Sequence, residues 1–350
     1  MTSVGLVFFP LDRQLELWEK HWSEGLAKEA VWLSGAIDSF EQAEEAFARI
    51  GHVVMSDSTI WRRVDKWGEQ FRQLEKERQE AANRVAQRGE VGAPSAKSGQ
   101  RLGVGLDGAK IHLRQEGWKE LKVGCVFEID LQLIFDRETK ETIEQGHAVN
   151  HTYLAHLGGP EQFGEMLWAA AQQRGWDDHY ETQVIGDGAP WIWNLTNLHF
   201  YDSQQTLDYY HATEHLNTAA TLLYPSDPEA AQRWFNKQET RLFQGHADQI
   251  ATTLAQAAMG QTQRHKELRT EADYFCTHQR RMQYLEFREE GYPIGSGMVE
   301  SEAKQFKARL CGPGMRWSRD GAERLIPIRA AIMSHQFDTL WPPVYNLPLN

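Results

Sequence analysis

Cysteine is scarce in this chain: Cys125, Cys276 and Cys311 are the full complement among 350 residues. Their number is odd, their spacing is wide and no Cys-x-x-Cys pair occurs, which excludes a disulfide framework and a cysteine zinc ribbon. They read as reduced, mostly buried thiols. Long hydrophobic runs are also missing. No stretch approaches the roughly 20 apolar residues of a membrane-spanning helix, and the first residues lack the basic segment of a secretion signal. The expected compartment is the cytoplasm, with no membrane partner. Positive charge is in deficit, with 37 Lys and Arg against 49 Asp and Glu and a net charge of -12. That balance opposes general attraction to nucleic acid, because sequence-independent DNA affinity comes from neutralising phosphates. The deficit is not uniform. Between Ser301 and His335 the bases Lys304, Lys307, Arg309, Arg316, Arg319, Arg324 and Arg329 outnumber Glu302, Asp320 and Glu323, so a basic face on an acidic protein is expected. Neither an internal repeat nor a low-complexity tract is present.

What remains is ordinary globular material, 41% hydrophobic and 25% charged, in a chain long enough for two or three domains. From Asp12 to Arg88 apolar residues recur at helical spacing: Leu15, Trp18, Trp22, Leu26, Ala30 and Leu33, then Ala43, Ala46, Phe47 and Ile50. Ser39 opens a capping pattern and Gly51 closes that helix. A further helix begins near Ser56 to Thr59, with Ile60, Trp61, Val64, Trp67 and Phe71 on its apolar side and Arg62, Arg63 and Lys66 opposite. This pair outlines a helix-turn-helix over 39–72, in which Arg62 and Arg63 are DNA-binding candidates; any helical hairpin gives a similar outline. Gly89 to Gln100 is rich in Gly, Pro and Ser and reads as a linker.

Strand alternation follows at Leu102 to Arg114 and Trp118 to Leu133, then a helix over Phe163 to Arg174 stopped by Gly175, then a short buried strand from Thr182 that closes on Asp187. Ala212 to Arg281 reads as helical. The expected organisation is a helical N-terminal region (1–90), a linker (91–101), a mixed α/β core from 102–211 and 286–335, a helical insertion (212–285) and a peripheral tail (336–350).

Asp107 and Asp187 sit in near-identical settings, Leu106-Asp107-Gly108-Ala109 and Gly186-Asp187-Gly188-Ala189, each after an apolar strand. Either alone is also a common hairpin turn. Gly295-Ser296-Gly297 then launches a helix on which Glu300, Lys304 and Lys307 share one stripe and Glu302 points to the opposite side. Glu300 and Lys304 alone read equally as a solvated ion pair. Together with the two Asp residues, Glu300 completes a carboxylate set on two strands and a helix. Such a set can hold two Mg²⁺ or Mn²⁺ ions about 3.5–4 Å apart, suited to in-line displacement at a phosphodiester.

At these residues the sequence resembles the DDE transposases of bacterial insertion sequences, in particular the ISKra-type branch. The segments that carry the resemblance are Phe9-Pro10-Leu11-Asp12, the helical Ser39 to Phe71 block, Leu106-Asp107-Gly108 and Ile185 to Trp191. Asp208-Tyr209-Tyr210-His211 and Gly295 to Trp317 with Gly314-Met315-Arg316-Trp317-Ser318 complete it. The resemblance implies an RNase H-like core in which Asp107, Asp187 and Glu300 are the catalytic and metal-binding triad, with a helical insertion between the second and third acids. It further implies cutting of element ends, joining of a 3′-hydroxyl to target DNA, and a homodimer or higher oligomer on double-stranded DNA at the bacterial nucleoid. Asp208 and His211 match an Asp-x-x-His signature, as leaving-group donor or as a structural tie. Lys304, Lys307, Arg309, Arg316 and Trp317 are DNA-binding candidates. The resemblance also implies a zinc-type cysteine region before the first residue here, without which recognition of terminal repeats falls to the helix-turn-helix.

Two other readings compete. His211-Ala212-Thr213-Glu214-His215 fits the H-x-x-E-H pattern of an inverted zinc metallopeptidase, with His211 and His215 on zinc and Glu214 as base. A non-catalytic DNA-binding protein derived from a transposase would keep the helix-turn-helix without the chemistry.

Overall fold

The computed structural model describes residues 22–88, 101–135, 142–178, 181–312 and 315–347. The Phe9 to Asp12 start, Leu15 and Trp18, the linker apart from Arg101, and Gly314 lie outside the described residues. The chain divides into two compact units: residues 1–80, 110–120 and 305–350, and residues 81–109 and 121–304. The tip of the first hairpin and the C-terminal helices group with the N-terminal helices.

In the first unit, α1 (Glu24–Ala36), α2 (Phe40–Arg49) and the start of α3 (Asp57–Arg88) enclose Ala30, Ala43, Phe47, Met55 and Ile60. The capping expected at Ser39 is present, its hydroxyl accepting the Gln42 N–H at 3.1 Å. After α2 the chain turns through Gly51 and His52, the latter at φ 51°. α12 (Arg319–Met333) packs on α1 where Gly35 leaves room, since a Cβ there would fall 2.6 Å from Ile332 and 2.8 Å from Ile328. The end of α1 is closed by two buried guanidiniums. Arg309 donates to Ser34 O at 2.8 Å and Arg329 to Gly35 O and Ala36 O at 2.6 and 2.8 Å, supplying donors to carbonyls that lack a helical partner.

The tail expected to be peripheral is instead a helix, α13 (Phe337–Asn346), with Phe337, Trp341 and Val344 buried. Trp341 packs 5.5 Å from Trp67 and donates its indole N–H to Glu24. Aromatic burial outweighs the two missing N–H donors of Pro342 and Pro343.

The second unit is built on a five-stranded mixed sheet of order β3-β2-β1-β4-β5. β1 (Arg101–Leu113) and β2 (Gly117–Phe135) are consecutive, and β3 (Thr142–His156) returns antiparallel to β2. β4 (Thr182–Gly186) lies parallel to β1, and β5 (Gln204–Leu207) parallel to β4. The parallel connections need crossovers, provided by α4 (Pro160–Gln173) and α5 (Pro190–His199). Every residue of β4 is buried, as a central parallel strand covered on both faces requires. The helical segment that follows comprises α6 (Tyr209–Leu223), α7 (Pro228–Phe243), α8 (Ala247–Ala257), α9 (Gln263–His278) and α10 (Tyr284–Glu289). Leu216, Leu242, Ile250, Leu254, Leu268 and Phe275 from these helices join Leu106, Val184 and Phe163 in a single core. Finally α11 (Gly297–Leu310) begins at the glycine turn. Among the described residues no helix is long and apolar enough to cross a membrane.

Candidate active site

Two of the acids singled out by sequence come to adjacent strand positions. In the β1–β4 register Leu106 lies opposite Gly186, so Asp107 and Asp187 each follow the last paired residue of the two parallel strands, Asp107 within β1 and Asp187 just past the end of β4. Asp107 accepts the Gly108 N–H at 2.6 Å, and Asp187 accepts that of Ala189 at 2.7 Å, closing the turn ahead of Pro190 and α5. Gly188 is required here because a Cβ would fall 2.4 Å from the ring of Tyr274 on α9. Tyr274 thus lies over the Asp187 turn. Burial, then the charges of Asp187, Asp208, Glu271 and Glu214, push its phenol pKa up, and its hydroxyl has no hydrogen-bond partner.

α11 reaches the sheet through a gap made by glycine. A Cβ on Gly105 would lie 2.2 Å from Val299 Cγ2, so the helix packs directly on the backbone of β1. One turn along, Glu302 is 0% exposed and neither of its carboxylate oxygens is hydrogen-bonded. Burial and then the Asp107 charge hold its carboxyl well above the usual carboxylate range. The same acid, after burial, raises the Cys125 thiol, and it contributes with burial and Cys125 to raising the Tyr153 phenol.

Glu300, the acid chosen from the sequence, is on the other side of the helix. Its side chain is 56% exposed and pairs with Lys304 at 2.7 Å, the solvated ion pair that the spacing also allowed. At 100° per residue Val299, Glu302, Ala303 and Phe306 form the buried face. The structure therefore brings Asp107 together with Glu302 and leaves Glu300 on the surface. Among the described residues, no three His, Cys, Asp or Glu side chains are arranged to hold a metal ion.

Asp208 is a tie between segments. One carboxylate oxygen caps α6 by accepting the His211 N–H at 2.7 Å; the other accepts the Ser296 hydroxyl at 2.7 Å and also the Ser296 N–H, at the turn before α11. Its own N–H donates to Gly186 O at 2.8 Å, next to Asp187. His211 is half-exposed, 3.8 Å from Glu214. His215 turns instead to α9, with Nδ1 2.7 Å from Glu271 and its ring stacked 3.7 Å from Tyr274. The His-x-x-Glu-His segment is thus built into the α6–α9 contact, and the two His rings stand 6.2 Å apart.

A family model described as an uncharacterised protein family, UPF0236, matches residues 5–338. The chain belongs to that family. No curated protein matches it.

In this UPF0236 chain the expected basic face is largely consumed by internal partners. Arg319 pairs with Glu116 at 2.6 Å and Glu323 at 3.3 Å, and Arg324 with Asp65 at 2.6 Å and Glu69 at 3.0 Å. Arg309 is 1% exposed, its guanidinium 4.7 Å from the Phe40 ring and 5.1 Å from Trp317. Trp317 is buried with Phe40 and Trp61 at 6.0 and 6.1 Å. Arg62, Lys307 and Arg316 are exposed, and Arg63 lies 4.9 Å over Trp22. The α2–α3 pair is a helical hairpin whose second helix runs 32 residues. The sequence missed Glu302, Tyr274 and the His215–Glu271 pair. Helical periodicity contained Glu302's facing, but nothing local marked which face would meet the sheet.

Proposed function

We propose that this UPF0236 chain is a metal-dependent DNA transposase, cutting element ends and joining them to target DNA, with an RNase H-like core. The observation that carries this reading is the adjacency of Asp107 and Asp187 across the parallel β1–β4 pair, with the buried Glu302 beside Asp107. Glu302 provides the fit to a hard cation: two buried carboxylate oxygens without donors are costly unless a proton or a cation satisfies them. Asp107, Asp187 and Glu302, whose side chains as they stand are not gathered into a ligand cluster, would hold Mg²⁺ or Mn²⁺ by closing around it, with Glu302 taking the third position in place of Glu300. When bound, two such ions activate an attacking hydroxyl and stabilise the leaving oxygen of a phosphodiester.

The surrounding residues have positioning roles. Asp208 fixes the turn that launches α11 and so sets where Glu302 enters. Tyr274 covers the Asp187 turn. Double-stranded DNA is the substrate, and a homodimer or higher oligomer holds two element ends together. The test is Mg²⁺-dependent nicking and strand joining on DNA containing the natural flanks of the chain's own gene. Loss in Asp107→Asn and Asp187→Asn with retained DNA binding supports the reading. DNA binding without any nicking by the wild-type chain would make it a non-catalytic DNA-binding protein.

A further inference from the structure

A second chemically distinctive place lies within the first unit. There a cavity of about 530 Å³ is lined by Phe40, Trp61 and Trp317, by Arg114, Arg309 and Arg316, and by the first residues of three helices. Its size falls in the range of small-ligand pockets, about 300–1,000 Å³. The three rings form one cluster, with Phe40 and Trp61 5.4 Å apart in an edge-to-face arrangement. Ser39 caps α2, Ser318 caps α12, and Asp57 and Ser58 open α3, so amide-rich helix starts face the same space. Asp57 is the acid on the wall, and its carboxylate accepts the Ser58 N–H of its own helix start.

Arg309 distinguishes this cavity from an incidental gap. The side chain is 1% exposed, its Nε donates to Ser34 O, and its Nη2 has no hydrogen-bond partner. The Trp317 indole N–H on the same wall is also unpartnered. Nearby charge does not offset the cation, since Arg329 opposes it and Asp38 alone compensates; burial first and then Arg329 bring the guanidinium down to about 10. A buried guanidinium with a spare donor, flanked by two exposed arginines, calls for an anion. Aromatic walls beside it call for a flat apolar group. A phosphate joined to a planar base satisfies both.

We propose that this cavity binds one unpaired nucleotide of a DNA strand, its base against the Phe40, Trp61 and Trp317 rings and its phosphate at Arg309, Arg114 and Arg316. This rests on reading the protein as DNA-processing, and it adds that the substrate presents a nucleotide outside the duplex. Stacking on aromatic rings tolerates any base, so the pocket selects unpaired geometry rather than sequence.

The experiment uses the full chain and three duplexes: one with a single unpaired 2-aminopurine nucleotide, one with that nucleotide paired, and one with an unpaired abasic site. The unpaired base should bind at least about tenfold tighter than either control, with quenched 2-aminopurine fluorescence. Arg316→Ala and Arg114→Ala, both at exposed positions, should each cut that preference by about tenfold. Trp61→Leu, checked for native circular dichroism, should abolish the quenching. Equal binding of all three duplexes overturns the inference, and so does equal binding of abasic and base-bearing DNA. Metal-dependent nicking without the preference refutes the pocket alone. The preference without nicking refutes the proposed chemistry and leaves the pocket standing.

Discussion

The Asp208 carboxylate holds both the N–H and the hydroxyl of Ser296 while capping α6, so one side chain joins the end of β5 to the start of α11. At 5% exposure these charge-assisted bonds are shielded from water. Asp208→Ala should cost about 3 kcal/mol, combining a lost cap with two stranded donors, and Ser296→Ala about 1 kcal/mol. Urea unfolding of the two single variants and the double variant checks this. Strict additivity would show that the Asp208–Ser296 tie carries no energy of its own.

Glu302 and Glu300 make opposite predictions from one helix. Glu302→Gln should reduce strand cleavage by at least about a hundredfold and weaken Mn²⁺ binding measured by calorimetry, because it removes a carboxylate facing Asp107. Glu300→Gln removes an exposed ion pair and should change stability by less than about 0.5 kcal/mol. The reverse result, with activity lost in Glu300→Gln and kept in Glu302→Gln, would return the third acid to the surface face.

His278 provides a pH signature. Burial first, then Arg281 and His215, lower its pKa to about 4, and its Nδ1 stands 3.2 Å from the Arg281 guanidinium, whose donor it must accept while neutral. Below a pH of about 6.5 the unfolded chain takes up a proton that the folded chain refuses. Stability is therefore complete above that value and declines as the pH falls towards about 4, by an amount on the order of 2 kcal/mol. His278→Gln should flatten this part of the stability profile. An NMR titration of His278 with a midpoint above about 6 would contradict the account.

Gly105 tests how closely α11 sits on the sheet. Gly105→Ala places a methyl 2.2 Å from Val299 Cγ2 and should destabilise by about 1–3 kcal/mol through overpacking. Val299→Ala in the same chain should recover part of that loss. Thermal unfolding of the double variant distinguishes a local clash from a general intolerance of side chains at that position.

The parts legible in the sequence are those whose signals are local. Ser39 caps α2, Gly175 ends the turn after α4 at φ 79°, and the apolar run from Thr182 becomes the fully buried β4 leading to Asp187. β5 is not legible because Gln204-Gln205-Thr206-Leu207 carries little apolar pattern; it is a strand because β4 pairs with it. α13 is hidden for the opposite reason. Two prolines imply a break, yet the contacts of Trp341 with Trp67 and Glu24 are made by residues distant in sequence.

Local pattern alone places Asp107 inside one apolar strand and Asp187 at the close of another, and puts Glu300, Lys304 and Lys307 along one face of α11 with Glu302 opposite. Those properties follow from the periods of strand and helix, which any short segment expresses alone. Long-range packing sets which face of α11 is buried and encloses Arg309 between Phe40 and Trp317 rather than presenting it to solvent. The bare backbone at Gly105 admits Val299, and that contact turns Glu302 inward beside Asp107. Periodicity fixes the angle between side chains on a helix; the surface against which the helix packs fixes which of them lose water.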